Sequence, residues 1–406
     1  MTGEHILFVT WDGPQVSYLE SLFVPIFARL QDYGIQTSVL QFTWGDSTQA
    51  EAACRAVGIA YRRVDILRRF GSLGAAATAI AGSVSVRRAM RDWNPTIVMP
   101  RSLFAGLAVL ACGARNVPTM LFDDDGLAAD ERREAGCATA TYRVLLAIER
   151  AAVRRSCHTL VRTESAAEIL ARRADVAREH FTVVANGRDV EIFKPSETDT
   201  RARMRREMGV ADDDILLVYS GSAGPQYRLG DVAKLVADLR QHIPSIKLLV
   251  LSGEGDLARN TLGAEGKRAI YRSVSPIEVP AYLSAADAGV ALRTESLAMQ
   301  GVAPIKLGEY LLCGLPVVGT PGIGDTGPAI GADVMIDAGQ PSAKISKWLV
   351  ERLADRERWT ATAREIGLQR FSLDRSVADY VSAVAACRAS GSRSTAFLNK
   401  PTTRGS

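Results

Sequence analysis

Lys306 and Glu309 stand three residues apart in the run Pro304-Ile305-Lys306-Leu307-Gly308-Glu309-Tyr310-Leu311-Leu312-Cys313-Gly314-Leu315-Pro316. Pro304 suits the first turn of a helix and Gly314 followed by Pro316 supplies a stop. The spacing therefore predicts a helix of about three turns, with Val317-Val318 opening a strand behind it. At about 100° per residue, Lys306, Glu309 and Tyr310 fall on one arc, while Leu307 and Leu311 fall on another that can face a core. A cation at the helix start stands beside unpaired N–H groups and the positive end of the helix dipole, where a diphosphate binds well. A carboxylate one turn later can accept hydrogen bonds from a ribose diol. The competing reading is a Lys–Glu pair on a solvated helix face.

Other residues have the right types for chemistry but less decisive spacing. Asp123-Asp124-Asp125 follows a strand-like run, and clustered carboxylates suit a divalent ion bound to phosphates or, more plainly, a capped turn. Gly253-Glu254-Gly255-Asp256-Leu257-Ala258 matches G-x-G-x-x-A after a strand, a pattern of dinucleotide turns, but no other nicotinamide-site feature accompanies it. Gly13, in Trp11-Asp12-Gly13-Pro14-Gln15, lies at the carboxyl end of the first strand, where a ligand can approach closely or a tight turn can form. His5, His158, His180 and His242 have no metal-ligand spacing, and no Ser-His-Asp assignment stands out. The six cysteines, Cys54, Cys112, Cys137, Cys157, Cys313 and Cys387, form no C-x-x-C pair and read as reduced, mostly buried thiols, with neither zinc nor a disulfide expected. From Ala60 to Arg91, seven arginines (62, 63, 68, 69, 87, 88 and 91) face one aspartate, Asp65, around an Ala-rich run. Such a segment is either a surface for anionic lipid or a solvated basic face.

The elements that must hold these residues follow from alternation. Short apolar or β-branched runs alternate with longer amphipathic segments, the pattern of parallel sheets connected by helices. The strands expected first are Ile6 to Thr10, Thr37 to Phe42, Thr96 to Met99, Thr119 to Phe122, Thr159 to Val161 and Phe181 to Val184. The rhythm then restarts with Ile215 to Ser220, Lys247 to Leu251, Ala288 to Leu292 and Val317 to Gly319. At 406 residues, 47% apolar and 23% charged, the chain suits two folded α/β domains, each a doubly wound sheet. The expected division is 1–185, 186–372, a helix over 373–388 returning to the N-terminal domain, and a disordered tail over 389–406. A net charge of +4 is too small for a dedicated nucleic-acid binder. No apolar stretch reaches the roughly 18 residues of a membrane span, and the N-terminus enters a strand without a secretory signal, so a cytoplasmic protein is expected.

The run P-I-K-L-G-E-Y-L-L-C-G-L-P-V-V-G-T-P-G-I-G-D resembles the signature of the family-4 retaining glycosyltransferases, in the branch with an S-P-x-K-x-x-E-Y-like donor motif. The likeness continues in order through Ala185-Asn186-Gly187-Arg188-Asp189 with Phe193 and Pro195, Val218 to Ser222, and Val279 to Asp287. It implies the GT-B architecture of two Rossmann-like domains facing a central cleft. It also implies transfer from a nucleotide-sugar donor to a glycan or lipid-linked acceptor hydroxyl, as in polysaccharide or glycolipid assembly, with retention and with neither metal nor cofactor. In this likeness Glu309 takes the ribose and Lys306 the diphosphate, with Pro304, Ile305 and Leu307 at the helix terminus. The strand-end glycine is Gly221, the position of the family's phosphate-binding arginine is Ser222, and that of its lysine falls near Arg228, so Arg228 joins Lys306 on the leaving diphosphate. Gly253 and Gly255 become nucleotide-loop contacts, whereas Asp123 and Asp125 resemble an acceptor-side F-D-x-R-G segment with Asp125 in place of arginine. The family's E-x7-E pattern places a sugar-contacting glutamate at Gly301, so that role has no owner; Glu295 is near in sequence but unplaced. Two alternatives stay open: a catalytically silent sugar-nucleotide-binding partner, which Gly301 and Ser222 favour, and a nucleotide-sugar epimerase of the same fold.

Overall fold

The computed structural model describes residues 3–13, 18–67, 71–113, 117–275, 277–324 and 326–398. It divides into one unit of Met1–Val184, Gln300–Val302 and Ser376–Ser406 and a second of Ala185–Met299 and Ala303–Arg375. The first unit holds seven strands: β1 (Glu4–Trp11), β2 (Ile35–Thr43), β3 (Ala60–Asp65), β4 (Ile97–Pro100), β5 (Thr119–Asp123), β6 (His158–Val161) and β7 (Phe181–Val183). Their order is β3-β2-β1-β4-β5-β6-β7, and every pairing is parallel. Ile6, Leu7, Phe8 and Val9 of β1 are all fully buried rather than alternating, as a central parallel strand covered on both faces requires. The order of strands reverses at β1, with β2 and β3 on one side and β4 to β7 on the other. Val9 pairs with Leu40 and Pro100, which sets Asp12, Arg101 and Asp123 along the carboxyl edge where such sheets bind ligands.

The second unit holds β8 (Ile215–Ser220), β9 (Ile246–Leu251), β10 (Ile270–Arg272), β11 (Ala288–Ala291), β12 (Val317–Gly319) and β13 (Met335–Asp337), in the order β10-β9-β8-β11-β12-β13, again all parallel. The switch point lies between β8 and β11. The helix Ile305–Leu312 packs there through Tyr310, which is completely buried. Its hydroxyl accepts a hydrogen bond from the Ser220 N–H at 2.8 Å, and its ring fills the space where any side chain on Gly289 would stand, 2.2 Å from a Cβ. Tyr310 therefore does not share an open arc with Lys306 and Glu309; it anchors the helix to the end of β8.

Three strands were not anticipated, and all are sheet edges: β3, β10 and β13. β3 reads Ala-Tyr-Arg-Arg-Val-Asp and buries none of its residues fully, so it lacks the apolar run that marks a strand in sequence. Arg62 and Arg63 thus belong to an edge strand, whereas Arg87, Arg88 and Arg91 belong to the helix Gly71–Trp93. The last helix runs Leu373–Leu398, so residues 389–398, expected to be disordered, are helical; 399–406 lie outside the described residues. The reduced-thiol expectation also needs correcting. Cys157 and Cys387 form a disulfide across 230 positions, a pairing that no local spacing announces. Cys54, Cys112 and Cys313 are buried thiols outside any disulfide, and Cys137 is a half-buried one. No helix among the described residues is long and apolar enough to cross a membrane.

Candidate functional site

The helix Ile305–Leu312 starts after Pro304 at the carboxyl edge of the second sheet, and its first turn carries Lys306. Lys306 is half-buried as a residue, yet its Nζ is shielded from solvent and has no hydrogen-bond acceptor. The ammonium lies 4.0 Å from the Tyr219 ring centroid and 4.8 Å from that of Tyr227. Burial and then the nearby charge of Arg293 push its pKa down to about 7, against the pull of Glu309. Gly221 forms its seat: with φ at 128°, it ends β8 so closely that a Cβ would stand 3.1 Å from Nζ. One turn on, Glu309 Oε1 accepts from Arg188 at 3.0 Å (Nε) and 2.9 Å (Nη2), with both side chains nearly buried. Arg188 is itself fixed by its backbone, which donates to Phe371 and accepts from Leu373.

Arg293 lies just beyond β11. Its N–H donates to Thr320 Oγ1 at 3.2 Å, its guanidinium covers the Tyr227 ring at 4.6 Å, and its Nε is shielded without an acceptor. Arg293, Lys306, Pro304, Leu307, Thr320 and Thr326 line a hollow of about 10 Å3, the size of a single small atom group. The sequence assigns no role to Arg293, Arg188, Tyr219 or Tyr227, although Arg188 and Tyr219 fall inside its motifs, since none of them lies within a recognisable spacing of Lys306. Arg228 is placed differently from Lys306. It adopts a left-handed backbone (φ 51°) before the helix Leu229–Arg240, its Nε is 2.7 Å from Asp231, and it lines a larger cavity of about 530 Å3 with Glu295, Thr320 and Asp337, which shares Thr320 with the hollow beside Lys306. Gly253 and Gly255 flank Glu254, whose carboxylate accepts from the Ala223 N–H at 2.6 Å and so ties the loop Gly221-Ser222-Ala223 to this turn. Neither glycine is demanded by crowding, because open space lies where a Cβ would be.

In the first unit the aspartates are engaged by arginines. Asp123 is fully buried, 2.6 Å from Arg162 Nη2 and 3.7 Å from Arg101 Nε. Arg101 also reaches Asp125 at 2.8 Å and Asp12 at 3.4 Å. Burial raises the pKa of Asp123 while Arg162 and Arg101 lower it. Asp124 belongs to a different group: burial and then the charge of Glu149 hold its carboxyl well above the usual range, and Glu149 is itself raised to about 7 by burial. Among the described residues no group of three or more His, Cys, Asp or Glu side chains is arranged to hold a metal. Gly13 follows β1 in the described part, and Pro14 and Gln15 lie outside it. Gly301, in the first unit, explains the missing glutamate: a Cβ there would stand 2.7 Å from the Leu127 backbone nitrogen, so the position admits no side chain. Glu295 packs against Gly322, where a Cβ would lie 2.6 Å from its Oε1.

Residues 26–192 match the model of a family described as Glycosyltransferase Family 4. No curated protein matches the chain. Among solved structures, Anabaena HepE in complex with UDP and glucose is similar at a TM-score of 0.70 and 16% identity, covering 94% of this chain and 99% of its own. Sucrose-phosphate synthase from Thermosynechococcus elongatus is similar at 0.69 and 13%, covering 97% and 99%. The fold is GT-B. The UDP-GlcNAc 2-epimerase of Neisseria meningitidis, bound to UDP-GlcNAc, is similar at 0.60 and 12%, covering 94% and 99%.

The Arg-rich segment separates into two parts. Arg62 pairs with Asp92 at 2.9 Å and lies over the Trp93 ring at 4.7 Å, and Arg63 pairs with Asp65; both charges are therefore partnered. On the helix Gly71–Trp93, Ile80 and Val84 are 55% and 61% exposed, with Arg87, Arg88 and Arg91 exposed further along. Arg68 and Arg69 lie outside the described residues.

Proposed function

We propose that the chain is a retaining glycosyltransferase that moves a hexosyl or related sugar from a nucleotide-sugar donor to an acceptor hydroxyl in glycan, polysaccharide or glycolipid assembly. One observation carries the reading: the shielded, acceptor-less ammonium of Lys306 at a helix start, one turn before a carboxylate fixed by Arg188. A donor diphosphate supplies the acceptor that Lys306 lacks, and Glu309 offers its second oxygen to the ribose diol. As the bond to the anomeric carbon breaks, negative charge grows on the departing diphosphate. The Ile305 to Leu307 terminus and Lys306 stabilise it, and Arg228 can join once it leaves Asp231. The departing phosphate takes the acceptor proton on the same face, so no protein nucleophile is needed. No metal is required either, since the charge is met by cations of the chain and Asp123 and Asp125 are occupied by arginines.

The acceptor side falls to the first unit, with Gly13, Asp123 and Asp125 at the carboxyl edge of its sheet. The exposed Ile80-Val84 face with Arg87, Arg88 and Arg91 suits an anionic membrane carrying a lipid-linked acceptor, in a protein that is otherwise cytoplasmic. Lys306→Ala and Glu309→Ala should each raise the dissociation constant of the bound donor, found by screening UDP-, GDP- and dTDP-sugars, about tenfold or more. Transfer should persist in excess chelator. Unchanged affinity in both variants would remove the assignment, and release of free epimerised sugar without acceptor would favour an epimerase.

A further inference from the structure

We propose that Arg293 is a second diphosphate-binding cation that shares the Tyr227 ring with Lys306; this deepens the donor site above and rests on that reading. Three observations carry it. The Arg293 guanidinium and the Lys306 ammonium contact one ring, 4.6 and 4.8 Å from the Tyr227 centroid, and line one hollow. Each keeps a shielded nitrogen without an acceptor, Nε of Arg293 and Nζ of Lys306. Two like charges on one ring and one hollow, with Glu309 committed to Arg188, suit an anion of more than one charge.

The surroundings narrow the choice of anion. Thr320 and Thr326 line the same hollow, and Thr320 Oγ1 fixes the Arg293 backbone from the end of β12. The loop after β8 presents Ser222 rather than a cation, and Arg228 further along is paired with Asp231. Arg293 therefore supplies from β11 the charge that the β8 loop does not. A guanidinium offers a planar fork of donors and Lys306 a point charge, a combination that fits two linked phosphates better than a single carboxylate. No covalent step is assigned to Arg293; it binds and holds the leaving diphosphate.

The test uses the full chain with UDP, GDP and dTDP and their nucleosides as probes, against wild type, Arg293→Met and Arg293→Lys. Arg293→Met should weaken the diphosphate that wild type binds by about tenfold while leaving the matching nucleoside nearly unchanged, and Arg293→Lys should recover part of the loss. Equal loss for nucleoside and diphosphate would mean that Arg293 only supports Tyr227, which overturns the proposal, as would an unchanged diphosphate affinity. If Arg293→Met does not fold, Arg293→Gln against Arg293→Lys makes the same comparison of neutral with charged. Failure of wild type to bind any of the three diphosphates would defeat the donor-site reading itself, a result distinct from the failure of Arg293 alone.

Discussion

An ammonium that is buried without an acceptor favours its neutral form, and Lys306 is such a group. With its pKa at about 7 in the free protein, set by burial and by Arg293 against Glu309, it is largely charged below that pH and largely neutral above it. A diphosphate binds the charged form and raises the pKa. Donor affinity should therefore be highest below pH 7 and fall as pH rises through 7 to 9, by up to about tenfold per unit, until the bound-state pKa is reached. Lys306→Arg, which stays charged, should flatten this profile; calorimetric titration across the range reads both, and a flat wild-type profile would mean that Lys306 does not meet the phosphates. Lys306 and Glu309 were legible in sequence because helix spacing and a terminus prescribe what they can bind. Arg188 was visible only as part of a turn, since its pairing with Glu309 spans 121 positions and depends on the backbone clasp at Phe371 and Leu373. Arg293 had no signal beyond its position after a strand.

At the scale of elements, the donor helix is positioned by what β8 and β11 leave out. Gly289 yields its side-chain space to Tyr310, and Gly221 yields its own to Lys306. Gly221→Ala should do two separable things. A φ of 128° is unfavourable for alanine, which should lower stability by about 1–3 kcal/mol. The added methyl, 3.1 Å from Nζ, should also displace Lys306 and weaken donor binding beyond what the lost stability explains. Thermal melting together with donor titration separates the two; full donor affinity in a folded Gly221→Ala protein would show that Lys306 needs no such seat. All but one of the ten strands expected from sequence carry mostly buried apolar runs, the exception being the edge strand β7. β3 and β10 escaped because an edge strand has one partner and little buried surface, leaving no apolar run to read, whereas β13 buries Met335 and Ile336 but is only three residues long. Tyr310 was misplaced for a related reason: helix periodicity gives an arc, but only the glycine on β11 shows that this arc is filled.

At the scale of the molecule, alternation made the two doubly wound sheets legible, and the GT-B likeness follows from them. The basic segment needed the structure, because Arg62 and Arg63 lie on an edge strand and pair with Asp92 and Asp65, while Arg87, Arg88 and Arg91, the last two also within 4 Å of Asp92, stay exposed on the helix Gly71–Trp93 beside Ile80 and Val84. Binding to vesicles containing anionic lipid should accordingly fall when Arg87, Arg88 and Arg91 become Ser, and should fall in high salt, at about 1 kcal/mol for each basic residue engaged. Arg62→Ser with Arg63→Ser should matter less. Equal vesicle binding by all variants, or none by wild type, would leave this face simply solvated.

The Cys157–Cys387 bond, between cysteines 230 positions apart, closes a covalent ring that contains every residue of the second unit. A single peptide cleavage anywhere inside that ring would leave one molecule of undiminished mass apart from the added water, and the break would appear as two fragments only after reduction. Electrophoresis without reductant would therefore report an intact chain for a protein already cut, so proteolytic maps of this molecule have to be read in both states.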